Sequence, residues 1–168
     1  MTRSHSRPLY ETSEDLSREG EVMSSVAKIW QCDYFKLPLS YRLDFALSRH
    51  GRVISLCEVR CRNNSIKKYP TMICSVSKRE KALSLSDCTG VTSVFLVQWT
   101  DAVGFIDFAV KPDFIAVGGR TGDNRRDYED VEILCHYSVE HFTLVDVKVE
   151  EVEVKDWAAE IKQMIAGD

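Results

Sequence analysis

Two carboxylates, Asp44 and Glu58, lie in neighbouring segments that alternate apolar and polar side chains. The alternation over residues 41–47 and 53–60 predicts two β-strands, and the His-Gly dipeptide between them is typical of a hairpin turn. Antiparallel pairing around this turn places the two carboxylates directly opposite each other, with Cβ atoms about 4.5–5.5 Å apart. Carboxylates at that separation repel each other unless a positive charge lies between them. A hard divalent cation, Mg²⁺ or Mn²⁺, suits such a pair because it prefers oxygen ligands.

Arg60 follows Glu58 by two residues and therefore points to the same face of its strand. A permanent positive charge beside a metal ion can hold a phosphate group. The set predicts metal-assisted phosphodiester hydrolysis, in which the metal lowers the pKa of a bound water and the cation stabilises developing charge. The alternative is structural: Asp44 and Glu58 are then cross-strand surface residues balanced by Arg42 and Arg60.

The surrounding segments supply the elements that position this pair. Apolar residues at helical spacing over residues 12–30 predict an amphipathic helix capped by Thr12 or Ser13, with Glu19 on its inward face. The further predicted elements are a short strand at 32–37, a helix from Ile73 to about Gly90, a buried strand at 92–99 and a strand at 103–110. Helix, three strands, helix and strand describe an α/β fold with a mixed sheet.

This pattern resembles the PD-(D/E)XK nuclease superfamily, which has the restriction-endonuclease-like fold. Its α-β-β-β-α-β core matches the order of elements over residues 12–107, and its small bacteriophage-type members are the most similar. The resemblance implies that the family's metal-binding Asp is Asp44 and that its E-x-K element is Glu58-Val59-Arg60. It also implies that Glu19 joins the metal site from the first helix.

One position departs from the family pattern, because Arg60 stands where the family prefers Lys. Arginine stays protonated in proteins, so it can bind phosphate but cannot act as a general base. Lys78, at the start of the second helix, is the expected substitute, followed by Lys67 and Lys68. A catalytically inactive protein of the same fold, with a nucleic-acid-binding or assembly role, remains the competing interpretation.

Positive charge is concentrated around the carboxylate pair. The whole chain of 168 residues has a net charge of −4, which by itself argues against a nucleic-acid binder. Residues 49–81, however, contain nine Lys or Arg residues and only two Glu. Phosphate contacts supply most sequence-independent affinity, so DNA is the expected partner, with RNA left open. The expected contacts are Arg42, Arg62, Lys67 and Lys68, and Tyr41 and Tyr69 flank the region as stacking or packing residues.

The amino-acid composition argues against several other classes of protein. With 44% hydrophobic and 29% charged residues, the chain is neither collagen-like nor wholly disordered. No apolar run is long enough to span a membrane, and residues 1–10 lack a signal-peptide core. Six cysteines without C-x-x-C spacing favour reduced thiols over zinc ligands or disulfides, and thus a cytoplasmic location, in the host if the protein is viral.

The expected organisation is one domain over residues 11–168, preceded by a flexible tail at 1–10. The nuclease core occupies 12–107, and residues 108–168 form an extension. There we expect a Gly/Arg loop at 118–126, strands at 131–137 and 142–154, and a closing helix at 156–165. Alternating valines from Val145 to Val154 could form a sheet edge for a homodimer.

Overall fold

The computed structural model describes residues 12–119 and 131–148 of the chain. The predicted tail, most of the predicted Gly/Arg loop and the predicted closing helix lie outside these residues. Within them the fold is a mixed α/β structure with two helices and two sheets, which confirms the predicted fold class.

The first helix, α1 (Ser13–Trp30), begins at a capping box. The Thr12 side chain accepts a hydrogen bond from the Asp15 backbone N–H, and the Asp15 carboxylate accepts one from the Thr12 N–H. Both bonds satisfy backbone donors that the first turn would leave free. The helix buries Val22, Met23 and Val26 against the sheet, so its position relative to the strands is set by this apolar stripe.

The larger sheet has six strands in the order β1-β2-β3-β5-β6-β9. Their bounds are β1 (Asp33–Lys36), β2 (Phe45–Arg49), β3 (Arg52–Cys61), β5 (Thr92–Gln98), β6 (Val103–Asp107) and β9 (Thr143–Val145). Strands β3 and β5 are parallel and all other neighbours are antiparallel. The strand β5 is buried along most of its length, as a continuous apolar run predicts.

The hairpin of β2 and β3 closes through a two-residue turn. His50 and Gly51 both have positive φ, at 51° and 73°, which matches the right-handed twist of the flanking strands. Arg49 pairs with Arg52 at the turn, and the register then shifts between Leu47 and Ser48. This bulge adds one residue to β3. Beyond it Phe45 pairs with Cys57, so the next residues, Asp44 and Glu58, lie opposite each other.

The second helix, α2 (Val76–Thr89), and a small sheet cover the other face of the large sheet. The small sheet has the order β4-β8-β7, with β4 (Thr71–Ser75), β7 (Phe114–Gly119) and β8 (Val131–Ser138). Two cores result, one under α1 and one under α2 and the small sheet, and the large sheet separates them. Glu58 and Arg60 point toward the α2 face because they alternate with Cys57 and Val59, which pack against α1.

Several predicted boundaries were wrong. Residues 71–75 form β4 rather than the start of α2, because they pair with β8, a contact between distant segments. The strand predicted at 41–47 begins only at Phe45, since Leu39–Tyr41 form a 3-10 turn that ends at a left-handed Arg42. The strand predicted from residue 142 is β9 of three residues within the described part, and positions 118 and 119 belong to β7, not to a loop.

All six cysteines are free thiols, and Cys57, Cys74 and Cys135 are buried. Burial raises the pKa of the Cys61 thiol to about 11 and that of Cys74 to about 12, so both stay protonated at neutral pH. Among the described residues, neither helix is long and apolar enough to cross a membrane.

Candidate active site

Asp44 lies immediately before β2 and forms hydrogen bonds with the backbone on both sides of Glu58. Its backbone N–H donates to the Cys57 carbonyl at 2.9 Å, and its carboxylate oxygen Oδ2 accepts from the Val59 N–H at 2.8 Å. Asp44 therefore contacts the residue on each side of Glu58, which fixes its carboxylate beside that of Glu58. The sequence pattern placed Asp44 inside a strand, whereas the structure places it one residue before the strand begins.

Glu58 is the most deeply buried charged residue of the described chain, with none of its surface exposed. Burial raises its pKa to about 7, Lys78 opposes that rise, and the nearby Asp44 carboxylate adds to it. Its Oε1 atom contacts two cations, while Oε2 accepts no hydrogen bond from the described residues. A buried carboxylate oxygen without a donor is costly, so the fold retains a strained group at this point.

The two cations at Glu58 come from different elements. Lys78 lies in the first turn of α2, and its Nζ atom donates to Glu58 Oε1. The Arg60 guanidinium lies 3.4 Å from the same oxygen and is 44% exposed, so it can also reach a ligand in solvent. The structure thus brings together Asp44, Glu58, Arg60 and Lys78, the four residues that the sequence singled out for catalysis.

A second ion-pair cluster adjoins this site through Lys36. Its Nζ atom lies 3.3 Å from Glu19 Oε2 and 3.5 Å from Asp44 Oδ1. Glu19 is buried on the inward face of α1, as its helical spacing predicts, and Lys36 bridges it to Asp44. The sequence pattern did not predict Lys36 as a site residue. Lys36 comes close to Asp44 because it pairs with Phe45, the next residue in the chain. This pairing depends on how the irregular segment between β1 and β2 folds, so the sequence alone does not reveal it.

The predicted nucleic-acid contacts lie around the site at different distances from it. Arg62 is half-buried directly after β3, and burial together with the neighbouring Arg60 charge lowers its pKa. Lys67 and Lys68 are exposed on the 3-10 turn Ile66–Lys68. Arg42 lies apart from them, in a shallow groove with residues of α2.

The donor set fits a hard divalent cation. Among the described residues, no group of three or more His, Cys, Asp or Glu side chains could hold a metal ion. Mg²⁺ does not require one, because it is usually held by one or two carboxylates and keeps several positions for water and phosphate. The unpartnered Oε2 of Glu58, beside the Asp44 carboxylate, offers the negative charge that such an ion needs.

A mixed sheet covered by a helix on each face, with two carboxylates brought together by the β2–β3 hairpin, is the arrangement that the resemblance to the restriction-endonuclease-like class implies. Residues 5–145 match the family described as "Phage putative PDDEXK endonuclease", and the chain therefore belongs to this family. The resemblance seen in Asp44 and in Glu58-Val59-Arg60 is thereby confirmed at the level of the family.

The chain was also compared with solved structures and with curated proteins. Among solved structures, the chain is similar to Hjc, a Holliday junction resolvase from Archaeoglobus fulgidus, with 11% sequence identity and a TM-score of 0.49. That alignment covers 77% of this chain and 90% of the resolvase. A comparison with curated proteins returns no match.

Proposed function

We propose that the protein is a Mg²⁺-dependent DNA endonuclease, with Mn²⁺ as an alternative ion, in which Asp44 and Glu58 bind the metal. The observation that carries this proposal is the buried Glu58 carboxylate, which has a second carboxylate beside it and one oxygen that accepts no hydrogen bond from the part of the chain that the structure describes. An arrangement that destabilises the fold is retained where function requires it. Bound there, the metal would supply Lewis-acid polarisation of the phosphate and a water of lowered pKa.

The chain's own cations take the phosphate. Arg60 is partly exposed and permanently charged, so it can bind a phosphate oxygen while remaining against Glu58. Lys78 contacts the same carboxylate and would be available to the phosphate if a bound metal neutralised Glu58. Lys36 holds the carboxylates of Glu19 and Asp44, which positions Asp44 for the metal.

The first experiment tests cleavage directly. Supercoiled, linear and branched DNA are incubated with the protein in Mg²⁺, in Mn²⁺ and in EDTA, and nicking is followed on gels. We expect cleavage with either metal, none in EDTA, and a rate at least about 100-fold lower for Asp44→Asn because metal-centred charge stabilisation is lost. Asp87→Asn, an exposed acid on α2, is the matched control. Metal-independent cutting, or full activity of Asp44→Asn, contradicts the proposal.

Lys36 gives a second prediction. Lys36→Met should lower the cleavage rate about 10- to 100-fold, because a group that orients a metal ligand contributes on that scale. Excess Mg²⁺ should recover part of the loss if the lysine acts through Asp44. The exposed Lys28→Met on α1 serves as the control, and unchanged kinetics of Lys36→Met at limiting Mg²⁺ would show that the bridge is only structural.

The competing function is a catalytically inactive nucleic-acid-binding or assembly protein. The observation that favours it is Arg60, which cannot take a proton where the family prefers a lysine. It predicts salt-dependent DNA binding without cleavage of any substrate. The nicking assay separates the two functions, because binding that persists when neither metal supports cleavage supports the inactive protein.

A further inference from the structure

An apolar cavity of about 300 Å³ lies beyond the end of β3, outside the carboxylate site. Its floor and walls come from the 3-10 turn Ile66–Lys68, β4, β8 and the end of β5. The residues with rings among its lining are Tyr69, Trp99 and His136, and the polar residues Arg62 and Asn64 also line it. Its size is at the lower end of the range for small-ligand pockets, which are apolar with a few placed polar groups.

The strand β3 connects this cavity to the proposed catalytic residues. Glu58 and Arg60 lie on one face of the strand, about 7 Å apart along it, and Arg62 follows directly after the strand, where its backbone N–H donates to the Gln98 carbonyl. A DNA strand whose phosphate lies on Arg60 therefore has its neighbouring nucleotide within reach of Arg62 and the cavity. Arg62, which lines the cavity and interacts electrostatically with Arg60, links the cavity to the carboxylate site.

Charge at the cavity rim favours a polyanion. Among the described residues, Arg62 makes no ion pair, and it lies close enough to Arg60 for the two charges to repel. Lys68 lies over the ring of Tyr69, with its Nζ atom 5.5 Å from the ring centroid. Arg62 in the lining and Lys68 beside Tyr69 thus give this apolar cavity a positively charged rim, which suits a nucleic acid.

Tyr69 supplies an exposed aromatic surface at this rim. It is 56% exposed although it is a large, mostly apolar ring, and it lines the cavity next to Pro70. The inner wall is closed by the buried residues Met72 and Trp99, and the Thr71 hydroxyl bonds His136 Nδ1 at 3.0 Å. A planar group can stack on the Tyr69 ring, either on the face that Lys68 does not cover or after the exposed Lys68 side chain moves aside.

We propose that this cavity binds a single unstacked nucleobase next to the phosphate on Arg60, stacked on Tyr69 with Arg62 at its edge or on its phosphate. The inference rests on the proposed function, because the phosphate position on Arg60 is part of it. It narrows the substrate to DNA in which a base near the cut is unpaired, as in a bulge, a flap or a branch. A base held in a fully paired duplex cannot reach the cavity without being extruded.

The test measures binding apart from cleavage. Fluorescence anisotropy in EDTA compares matched duplex with the same duplex carrying one bulged nucleotide, using the full chain and its Tyr69→Ala, Tyr69→Phe and Phe35→Ala variants. We expect wild type to bind the bulged DNA about ten-fold more tightly, and Tyr69→Ala to lose that preference, since base–aromatic stacking has an effect of this size. Tyr69→Phe should retain it because the ring remains. Phe35→Ala, which removes a ring of similar exposure on β1, should also retain it.

A fluorescent 2-aminopurine at the bulged position supplies an independent readout. Its emission should be quenched on binding to wild type and to Tyr69→Phe, but not on binding to Tyr69→Ala. Equal affinity for matched and bulged DNA, or a bulge preference unaffected by Tyr69→Ala, would overturn the proposal. Failure of the nuclease function appears separately, as tight Tyr69-dependent binding of bulged DNA without cleavage in Mg²⁺ or Mn²⁺.

Discussion

Between pH 4.5 and pH 8, the metal-free protein should lose about 3 kcal/mol of its free energy of unfolding through the ionisation of Glu58. The Glu58→Gln variant should not show this loss. Burial raises the pKa of Glu58 from 4.5 to about 7 in the folded chain, whereas the unfolded chain releases this proton near 4.5. Between these values the folded state binds more protons than the unfolded state, so stability falls as pH rises. The contribution is fully present below pH 4.5 and is lost as the pH passes through 7.

Urea unfolding in EDTA at a series of pH values measures this effect. The quantity to compare is the free energy of unfolding of wild type minus that of Glu58→Gln, because other carboxylates contribute equally to both proteins. Glu80→Gln, which removes an exposed acid on α2, is the matched control for the loss of one carboxylate. If the wild-type and Glu58→Gln curves run parallel, Glu58 has the same pKa in the folded and unfolded chains, and burial of its charge has no net cost.

The same variant links stability to metal binding. The metal requires the ionised carboxylate, so Mg²⁺ should stabilise wild type more at pH 8 than at pH 6 and should have little effect on Glu58→Gln. The cleavage rate of Glu58→Gln should fall at least about 100-fold, as for Asp44→Asn. Equal stabilisation of wild type and Glu58→Gln by Mg²⁺ would place the metal elsewhere.

Lys78→Met should destabilise the metal-free protein by roughly 3 kcal/mol at pH 8 and far less at pH 5. Lys78 provides the largest favourable charge interaction of Glu58, so without it a buried carboxylate keeps only the partly exposed Arg60. At a pH below its raised pKa, Glu58 is neutral, so the Lys78 charge contributes little to stability. The loss should therefore follow the titration of Glu58, and the apparent pKa of that step should move above 7.

A double-mutant cycle isolates this pair. Lys78→Met combined with Glu58→Gln should recover most of the stability lost by Lys78→Met at pH 8, because the uncompensated charge is gone. Lys81→Met, on the same helix, should cost little at either pH. A loss for Lys78→Met that is the same at pH 5 and pH 8, and that Glu58→Gln does not relieve, would mean that the lysine stabilises the fold by packing alone.

The hairpin of β2 and β3 shows which part of the site geometry can be predicted from the sequence. Pairing centred on Gly51 alone predicts Asp44 opposite Glu58. The actual turn contains both His50 and Gly51, which by itself would shift the pairing by one residue. The bulge beside Leu47 shifts it back, so the expected pair of carboxylates comes together for a reason that the alternation of side chains does not contain.

Local patterns thus determined α1 with its cap, the buried Glu19, the central strand β5 and the family to which the chain belongs. These depend on interactions between residues near in sequence, or on burial that periodicity reports directly. Only the tertiary structure decided that Lys36 reaches Asp44, that residues 71–75 join a second sheet, and that a cavity forms beside Arg62. Each of these depends on pairing between distant segments, because strand register and sheet membership are set by partners elsewhere in the chain.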